Sequence, residues 1–370
     1  MTRFLTGLLI GLLLAPACWA HKASDGFVYL DQTNTPPQLR IDLALRDLAL
    51  VVPLDRNDDR QVSGRELQDA RAEITRYLEA GVTVAAGDAT CALNGLQWGL
   101  TRHSDGPYAA ARYAIDCPGD AAPTRLTYRL LFEVDSLHRG LVQRRLGDSE
   151  QLAVLGPDQN ALDLTTVSAS PLALFGDFLY QGIVHLVFGF DHVLFLLVLI
   201  LPATLVRRNE PQRGPRRRLW ELAGIVTAFT VAHSITLGLA AMDVMRPPIA
   251  WIEIVIALSI ALAALNLFFP IFGRHTWRLA FGFGLIHGFG FASVLGDLTS
   301  GTSQTVLALA GFNIGVELGQ IALLLLVFPL LYACSRLRLY QRAMVPALAL
   351  AVSAISLYWV VERVAGLSIA

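Results

Sequence analysis

The sequence predicts a membrane protein: a six-helix α-helical transmembrane bundle preceded by a signal peptide and a mostly-β extracytoplasmic domain. Three observations predict it. Hydrophobic residues make up 54% of the 370 and charged residues only 16%, against roughly 25% charge in a typical soluble protein. Mean hydropathy is positive, and the charge deficit is uneven: residues from 21 to about 170 read like a soluble domain, and the rest is mostly apolar. The first twenty residues, finally, have the layout of an export signal. The net charge of −1 averages two unlike halves and gives no sign of a nucleic-acid partner.

The opening run MTRFLTGLLIGLLLAPACWA joins an early arginine to an apolar stretch and ends in Cys18-Trp19-Ala20. That is the pattern of a secretory signal peptide, residues 1–20, cleaved after Ala20. A second reading makes Cys18 a lipidated cysteine, which Pro16 fits poorly. Cleavage would leave His21 at the N-terminus, where amine and imidazole together could chelate a metal; the plainer reading is that His21 is simply the next residue. Export places the following segment in an oxidising compartment. Cys91 and Cys117, the other cysteines before the apolar half, are therefore expected to form a disulfide. Cys334 stands alone in a late apolar run and reads as packing.

Residues 21–170 contain short alternating runs: GFVYL, QLRIDLAL, GVTVAA, YAAARYAIDC and TRLTYRLLFEV. Clusters of Pro, Gly, Asn and Asp separate them, which predicts a mostly antiparallel sheet or sandwich. One helix interrupts, SGRELQDARAEITRYLEA, with Leu67, Ala70, Ile74 and Leu78 on one face. Ser63 and Glu66 have the spacing of a capping box at its start. Just before it, DRNDDRQVSGRE (55–66) sets Asp55, Asn57, Asp59, Gln61, Ser63 and Glu66 at the ligand positions of an EF-hand-like calcium loop, with Val62 at the apolar position. A hard cation needs several oxygens on a tight loop, and this spacing supplies them. Arg60 stands where such loops have glycine, so it must accept a positive φ at a cost of roughly 1 kcal/mol. Calcium here would brace the domain; the alternative is a solvated acidic turn leading into a capped helix.

Six apolar segments follow within 171–370, at about 183–203, 219–243, 248–270, 276–296, 304–333 and 341–365. Each reaches the roughly 20 residues needed to cross a bilayer. PLALFGDFLYQ, ahead of the first, reads as an interfacial or re-entrant helix. Arg207, Arg208, Arg213, Arg216, Arg217 and Arg218 follow the first segment, Arg274 and Arg278 flank the start of the fourth, and Arg336, Arg338 and Arg342 precede the sixth. The intervening loops hold Arg246 alone. By the positive-inside rule the arginine-rich loops are cytoplasmic. The expectation is a multi-pass protein of the bacterial inner membrane with a periplasmic N-terminal domain.

An ionisable residue at a helix centre costs about 2.5–3.5 kcal/mol on insertion scales. Yet four of the eight histidines fall in these segments: His185 and His192 in the first, His233 in the second and His287 in the fourth. Asp191 joins the first, Glu253 lies in the outer part of the third and Glu317 mid-span in the fifth. Asn313, Glu317 and Gln320 share one stripe. Each histidine alone reads equally well as a core residue satisfied by one hydrogen bond. Together with the acids at similar depth they read as a site, and imidazole with a few oxygens suits nickel, cobalt, zinc or copper. His185 and His192 lie on one face but about 10 Å apart along a straight helix. Either Gly189 lets the helix bend or His185 is an outer station. Glycines at 282, 284, 288 and 290 bracket His287 and permit close helix approach or an opened backbone.

These residues carry a family resemblance. HLVFGFDH, a His-x5-Asp-His motif, followed in order by AHSITL, WIEIVIALSIALAALN and FGLIHGFGFA, resembles the HupE/UreJ family of hydrogenase and urease accessory proteins. That family is regarded as nickel permeases, and the motif is similar to the His-x4-Asp-His signature of nickel–cobalt transporters. The resemblance covers about 175–365 and implies metal recognition by His185, Asp191 and His192, with His233, Glu253 and His287 as candidate partners. Short members of the family are little more than the bundle, whereas this chain adds some 150 residues before it.

The leading expectation is therefore a permease for a divalent transition metal, Ni2+ first and cobalt second, through a histidine- and carboxylate-lined path. No G-x-x-x-x-G-K-[ST] loop is present, so transport would be facilitated or ion-coupled unless another subunit supplies energy. The alternative is a zinc-dependent intramembrane hydrolase, although no H-E-x-x-H pair appears. A third reading is a haem-binding electron carrier. Expected partners are the metal ion and the lipid bilayer, with a homo-oligomer or metalloenzyme maturation proteins as further candidates.

Overall fold

The computed structural model describes residues 24–59, 61–103, 106–147, 149–165, 171–205, 214–269, 276–299 and 304–367. The signal peptide, His21, Arg60, Arg207, Arg208, Arg213 and Arg274 lie outside the described residues. A β-rich N-terminal region comes first. Its elements are β1 (Asp25–Asp31), β2 (Gln38–Ala44), α1 (Gly64–Gly81), β3 (Val82–Ala86), β4 (Ala89–Thr90), β5 (Ala92–His103), β6 (Gly106–Asp116), β7 (Arg125–Tyr128), β8 (Arg139–Leu146), β9 (Ser149–Leu155) and β10 (Ala161–Asp163). They form a six-stranded sheet, β5-β6-β2-β1-β8-β9, and a four-stranded sheet, β10-β7-β3-β4.

Side chains of successive strand residues point to opposite faces, and the six-stranded sheet buries both. Val28, Leu30, Leu39 and Ile41 pack with Leu67, Ala70, Ile74 and Leu78 of α1 and with Val82, Val84, Leu126 and Tyr128 of the smaller sheet. On the opposite face Phe27, Tyr108, Leu141 and Leu152 pack into the helical region. Ser63 and Glu66 make both halves of the capping box at the start of α1. Cys91 and Cys117, just outside the paired ends of β5 and β6, are joined by a disulfide.

Three details differ from the expectation. Pairing is antiparallel except between β1 and β8, which run parallel. The run TRLTYRLLFEV leaves the sheet after Tyr128, because the chain turns there to bury Leu130 and Leu131, the latter at φ 62°. The hairpin β8–β9 was not expected; its signal is the Gly147-Asp148 pair, with Gly147 at φ 59° as such a tight turn requires.

The helical region contains α2 (Pro171–Phe188), α3 (Phe190–Thr204), α4 (Pro215–Ala241), α5 (Ile249–Leu265), α6 (Thr276–Thr299), α7 (Thr305–Cys334) and α8 (Val345–Leu367), the last preceded by a π-helical turn, Tyr340–Met344. Four stretches among the described residues are long and apolar enough to cross a membrane: α2, α4, α7 and Tyr340–Ala365. Two expected spans are corrected. The segment 183–203 is not one helix: it breaks at Gly189, and PLALFGDFLYQ belongs to the same helix as His185. The third is a helix of 17 residues, about 25 Å at 1.5 Å per residue, and so shorter than the segment 248–270.

The six-stranded sheet sits on one end of this bundle, against Leu174 and Phe178 of α2, Leu237 and Ala240 of α4, and Ala308 and Phe312 of α7. Gln304, ahead of α7, takes a hydrogen bond from the Leu152 N–H at 3.1 Å and donates to the Glu150 carbonyl at 3.2 Å. At the opposite end Arg218 of α4 donates to the carbonyls of Ala203 and Leu205, where α3 ends. There its charge also opposes the negative helix terminus.

A buried polar chain fixes the start of β1. The Tyr128 hydroxyl and His138 Nε2 are 2.6 Å apart, as are His138 Nδ1 and Ser24 Oγ, and Ser24 Oγ donates to Asp135 at 2.6 Å. Since Ser24 spends its proton on Asp135, His138 donates from Nδ1 and accepts from Tyr128. Burial pushes the imidazole down from 6.5 to about 3, against the pull of Asp135. A histidine held neutral in the fold contributes stability above its unfolded pKa and loses it as pH falls towards the folded value, by up to about 1.4 kcal/mol per pH unit. The thermal midpoint of the full chain should therefore fall on acidification from pH 6.5 towards pH 4. His138→Gln should start lower and show a flatter acid limb.

Candidate metal centre

The site is built on the break between α2 and α3. The Gly189 N–H donates to the His185 carbonyl at 2.8 Å and closes α2, while its own carbonyl accepts from Val193 at 3.1 Å and opens α3. Gly189 lies at φ −73°, ψ 92°, outside helical geometry. The kink brings the ring centroids of His185 and His192 to 4.9 Å. A Cβ on Gly189 would stand 2.5 Å from the His185 carbonyl oxygen, 3.0 Å from His192 Nδ1 and 3.2 Å from Asp191 Oδ1. The break also suits the charges: Asp191 falls in the first turn of α3 and His185 in the last turn of α2, so the carboxylate meets a positive helix end and the imidazole a negative one.

α4 and α6 deliver His233 and His287. Their ring centroids lie 6.2 Å and 5.2 Å from that of His192. The two helices touch through small residues: a Cβ on Gly284 would strike the Phe229 carbonyl, and one on Gly288 would strike Thr236 and the His233 backbone. On the other flank Gly311, Gly315 and Gly319 of α7 lie against α2, with Gly182 facing the Phe312 carbonyl. His192, His233 and His287 are buried.

Hydrogen bonds assign which nitrogen of each ring is open. Asp191 Oδ1 accepts from His192 Nδ1 at 2.9 Å and from the His192 N–H at 2.9 Å, which leaves Nε2 as the open nitrogen. Asn313 Nδ2 donates to the Leu309 carbonyl at 2.9 Å, so its Oδ1 faces His233 Nδ1 at 3.3 Å as an acceptor. Ser259 Oγ donates to the Ile256 carbonyl at 2.7 Å and so accepts from His287 Nε2 at 3.3 Å. The remaining nitrogens, Nε2 of His192 and His233 and Nδ1 of His287, are buried and make no hydrogen bond among the described residues. Buried polar atoms are nearly always paired, and a metal-binding imidazole characteristically holds its other N–H on a carboxylate, carbonyl or water.

Two overlapping groups result. His185, His192 and His233 can each place one ligand atom within 4.8 Å of the others, and so can Asp191, His192 and His287. His192 belongs to both. The other expected residues lie elsewhere. Glu253 faces Arg363 at 3.9 Å, and Arg363 also donates to the Glu253 carbonyl at 2.7 Å. Glu317 accepts from Thr227 at 2.6 Å. Ser259 and the glycine stripe on α7 were missed by sequence reasoning; Ser259 is the single hydroxyl in α5 and could have been found as such.

In the acidic loop ahead of α1, Asp55 and Asn57 both accept from the Asp59 N–H, Asp59 accepts from the Gln61 N–H, and Glu66 accepts from the Arg56 N–H, the Ser63 N–H and Ser63 Oγ. The backbone N–H of Ser63 above all holds the Glu66 carboxyl below its usual range. His103 contacts Asp42 at 2.8 Å beneath Phe27, on the bundle side of the sheet.

Two substitutions test the geometry. Gly189→Ala should displace His192, and Ser259→Ala should free the His287 ring. Each is expected to weaken binding of a divalent transition metal by roughly 10- to 100-fold, the usual effect of disturbing the support of a ligand. Isothermal titration of the purified chain reads both.

The family model for HupE / UreJ protein matches residues 161–363. No curated protein matched the chain. The family match takes in α2 through most of α8, with every residue of the two ligand groups, and covers 203 of the 370 residues (363 − 161 + 1), more than half. The chain belongs to the HupE/UreJ family.

Proposed function

We propose that this chain is a membrane permease for a divalent transition metal ion, nickel first and cobalt second, which passes through the histidine centre. One observation carries the reading: buried imidazoles from α3, α4 and α6 each keep one nitrogen open and hold a partner at the other, and they fall into two three-residue groups that share His192. Imidazole nitrogen with one carboxylate suits a borderline metal and not a hard one. Membership of a family named for hydrogenase and urease accessory proteins points the same way.

The geometry supports passage better than storage. Closed structural sites take four protein ligands, while three leave a position open. Each group here has three ligand atoms, and His192 is shared between them. An ion held by His185, His192 and His233 can exchange ligands one at a time for Asp191 and His287 without leaving His192. Asp191 serves twice, orienting His192 and offsetting part of the ion's charge.

Orientation follows from the arginines. Arg216, Arg217 and Arg218 begin α4, and Arg336, Arg338 and Arg342 lie between α7 and α8, at the end away from the sheet. The positive-inside rule makes that end cytoplasmic, in an inner membrane, with the β-rich region on the periplasmic side.

Reconstitution of the full chain into liposomes tests this. Saturable uptake of nickel is expected, with cobalt, zinc and copper in parallel. His192→Ala, which breaks both ligand groups, should lower uptake by more than about 100-fold, beyond the loss expected for a supporting residue. No uptake of any metal, together with tightly bound zinc in the purified protein, would replace the permease with the intramembrane hydrolase.

A further inference from the structure

A second polar cluster lies along the seam of α4 and α7, on the side of the histidine centre away from the sheet. Beyond the contact of His233 with Asn313, Thr230 Oγ1 donates to Gln320 Oε1 at 2.8 Å and Thr227 Oγ1 donates to Glu317 Oε1 at 2.6 Å. The other carboxylate oxygen, Glu317 Oε2, is buried and accepts no hydrogen bond among the described residues. No arginine or lysine pairs with Glu317 among them either. Its hydrogen-bond partner is Thr227 of α4; Thr230 and His233 follow one and two turns further along α4, and Asn313 and Gln320 lie within a turn of it on its own helix.

This cluster has a different chemistry from the histidine centre. It offers a carboxylate, two hydroxyls and an amide oxygen, and its nearest imidazole is already committed to Asn313. Oxygen-only sites suit hard cations, not borderline metals. A lone carboxylate at bilayer depth is costly unless a counter-charge or a proton meets it. We infer that Glu317, with Thr227, Gln320 and Thr230, binds a monovalent coupling cation, a proton or a sodium ion, whose gradient drives metal movement through the histidine centre. The inference rests on the permease reading for its role in transport, though not for the existence of the cation site.

Asn313 links the two sites. It stands four residues before Glu317 on one stripe of α7, about 6 Å along the axis, and its Oδ1 holds the Nδ1 proton of His233. A cation arriving at Glu317 acts on that stripe and so on the ring that Asn313 orients. Two cations on neighbouring turns also repel each other strongly away from water, so loading one site disfavours the other. That is the condition for exchange of metal against the coupling ion.

The test labels membranes containing the full chain with N,N′-dicyclohexylcarbodiimide, which attacks protonated carboxyl groups in apolar surroundings, and maps the adducts by mass spectrometry. Glu317 should be modified, several-fold more slowly at high pH if the ion is a proton, or on adding sodium at fixed pH if it is sodium. An unmodified Glu317, or labelling indifferent to both, overturns the site. In proteoliposomes, nickel uptake by the native chain should follow an imposed gradient of that ion. Glu317→Gln should abolish the gradient dependence and leave nickel binding in detergent intact but no longer weakened by the coupling ion; loss of nickel binding would make Glu317 part of the metal centre and overturn the separation. If the native chain moves no metal at all, the permease reading fails, and the labelling result alone decides the cation site.

Discussion

The arrangement depends on one break in a helix. An unbroken α-helix through residues 171–204 would carry His185 and His192 two turns apart, and no side-chain rotation would bring both to one ion. By ending α2 at Phe188 and starting α3 at Phe190, the chain brings the two rings edge to face and turns a linear motif into half of a three-dimensional site. The break is tolerable because Gly189 keeps both flanking hydrogen bonds: it donates back to His185 and accepts from Val193. It also puts helix ends of opposite sign against Asp191 and His185. Backbone geometry, electrostatics and ligand placement therefore share one residue, which has no room for a Cβ.

The rest of the bundle holds that break in place. α2 is clamped to α7 by facing glycines, and α4 to α6 by another pair. In an apolar solvent such close approach replaces the hydrophobic drive that packs helices in water. The sheet adds a brace at one end, with Phe27 and Tyr108 among the same buried residues as Phe178 and Phe312. Because Phe312 also contacts the rings of His185 and His233, the packing that joins sheet to bundle continues into the ligand centre. A shift of the sheet would be felt there through contacts of fixed shape, since interiors pack too tightly to absorb it locally.

Much of this was legible in the sequence, because the cost of burying charge makes each exception conspicuous. His185, Asp191, His192, His233 and His287 stand out against their apolar segments, and all five fall into the two ligand groups. Glu253 and Glu317 stood out equally and lie elsewhere; depth along a helix says how far a residue sits in the bilayer, while its angle around the axis depends on packing. The break at Gly189 was one of two options, since a glycine inside an apolar run marks a bend only once the neighbouring helices are known. Ser259 was not seen because a single hydroxyl among Ala, Ile and Leu is inexpensive. In the β-rich region, alternation located five of the ten strands among the described residues, β1, β2, β3, β6 and β7. It missed β5, β9 and β8, the last of which has neighbours that bury both faces and so weaken the alternation, and it overran β7, where Leu130 and Leu131 continue the apolar pattern after the backbone has turned.

The bundle separates two kinds of chemistry along its length. Imidazole nitrogens gather where α2, α3, α4 and α6 converge, and carboxylate, hydroxyl and amide oxygens lie further along the α4–α7 seam. Asn313 stands one turn of α7 from Glu317, with its amide fixed by Leu309 and His233. A protein that merely tolerated buried polar residues would scatter their partners over whatever backbone lay nearby. Here each open nitrogen is opposed by a support that dictates its tautomer, and the supports come from different helices: Asp191 from α3, Ser259 from α5 and Asn313 from α7. Tautomer control by three separate helices makes the ligand set sensitive to how those helices sit against one another. A small rearrangement of the bundle can thus change the affinity of the centre without breaking a covalent bond or moving a ligand out of reach. That sensitivity is a physical requirement for any site that must first hold an ion and then let it go.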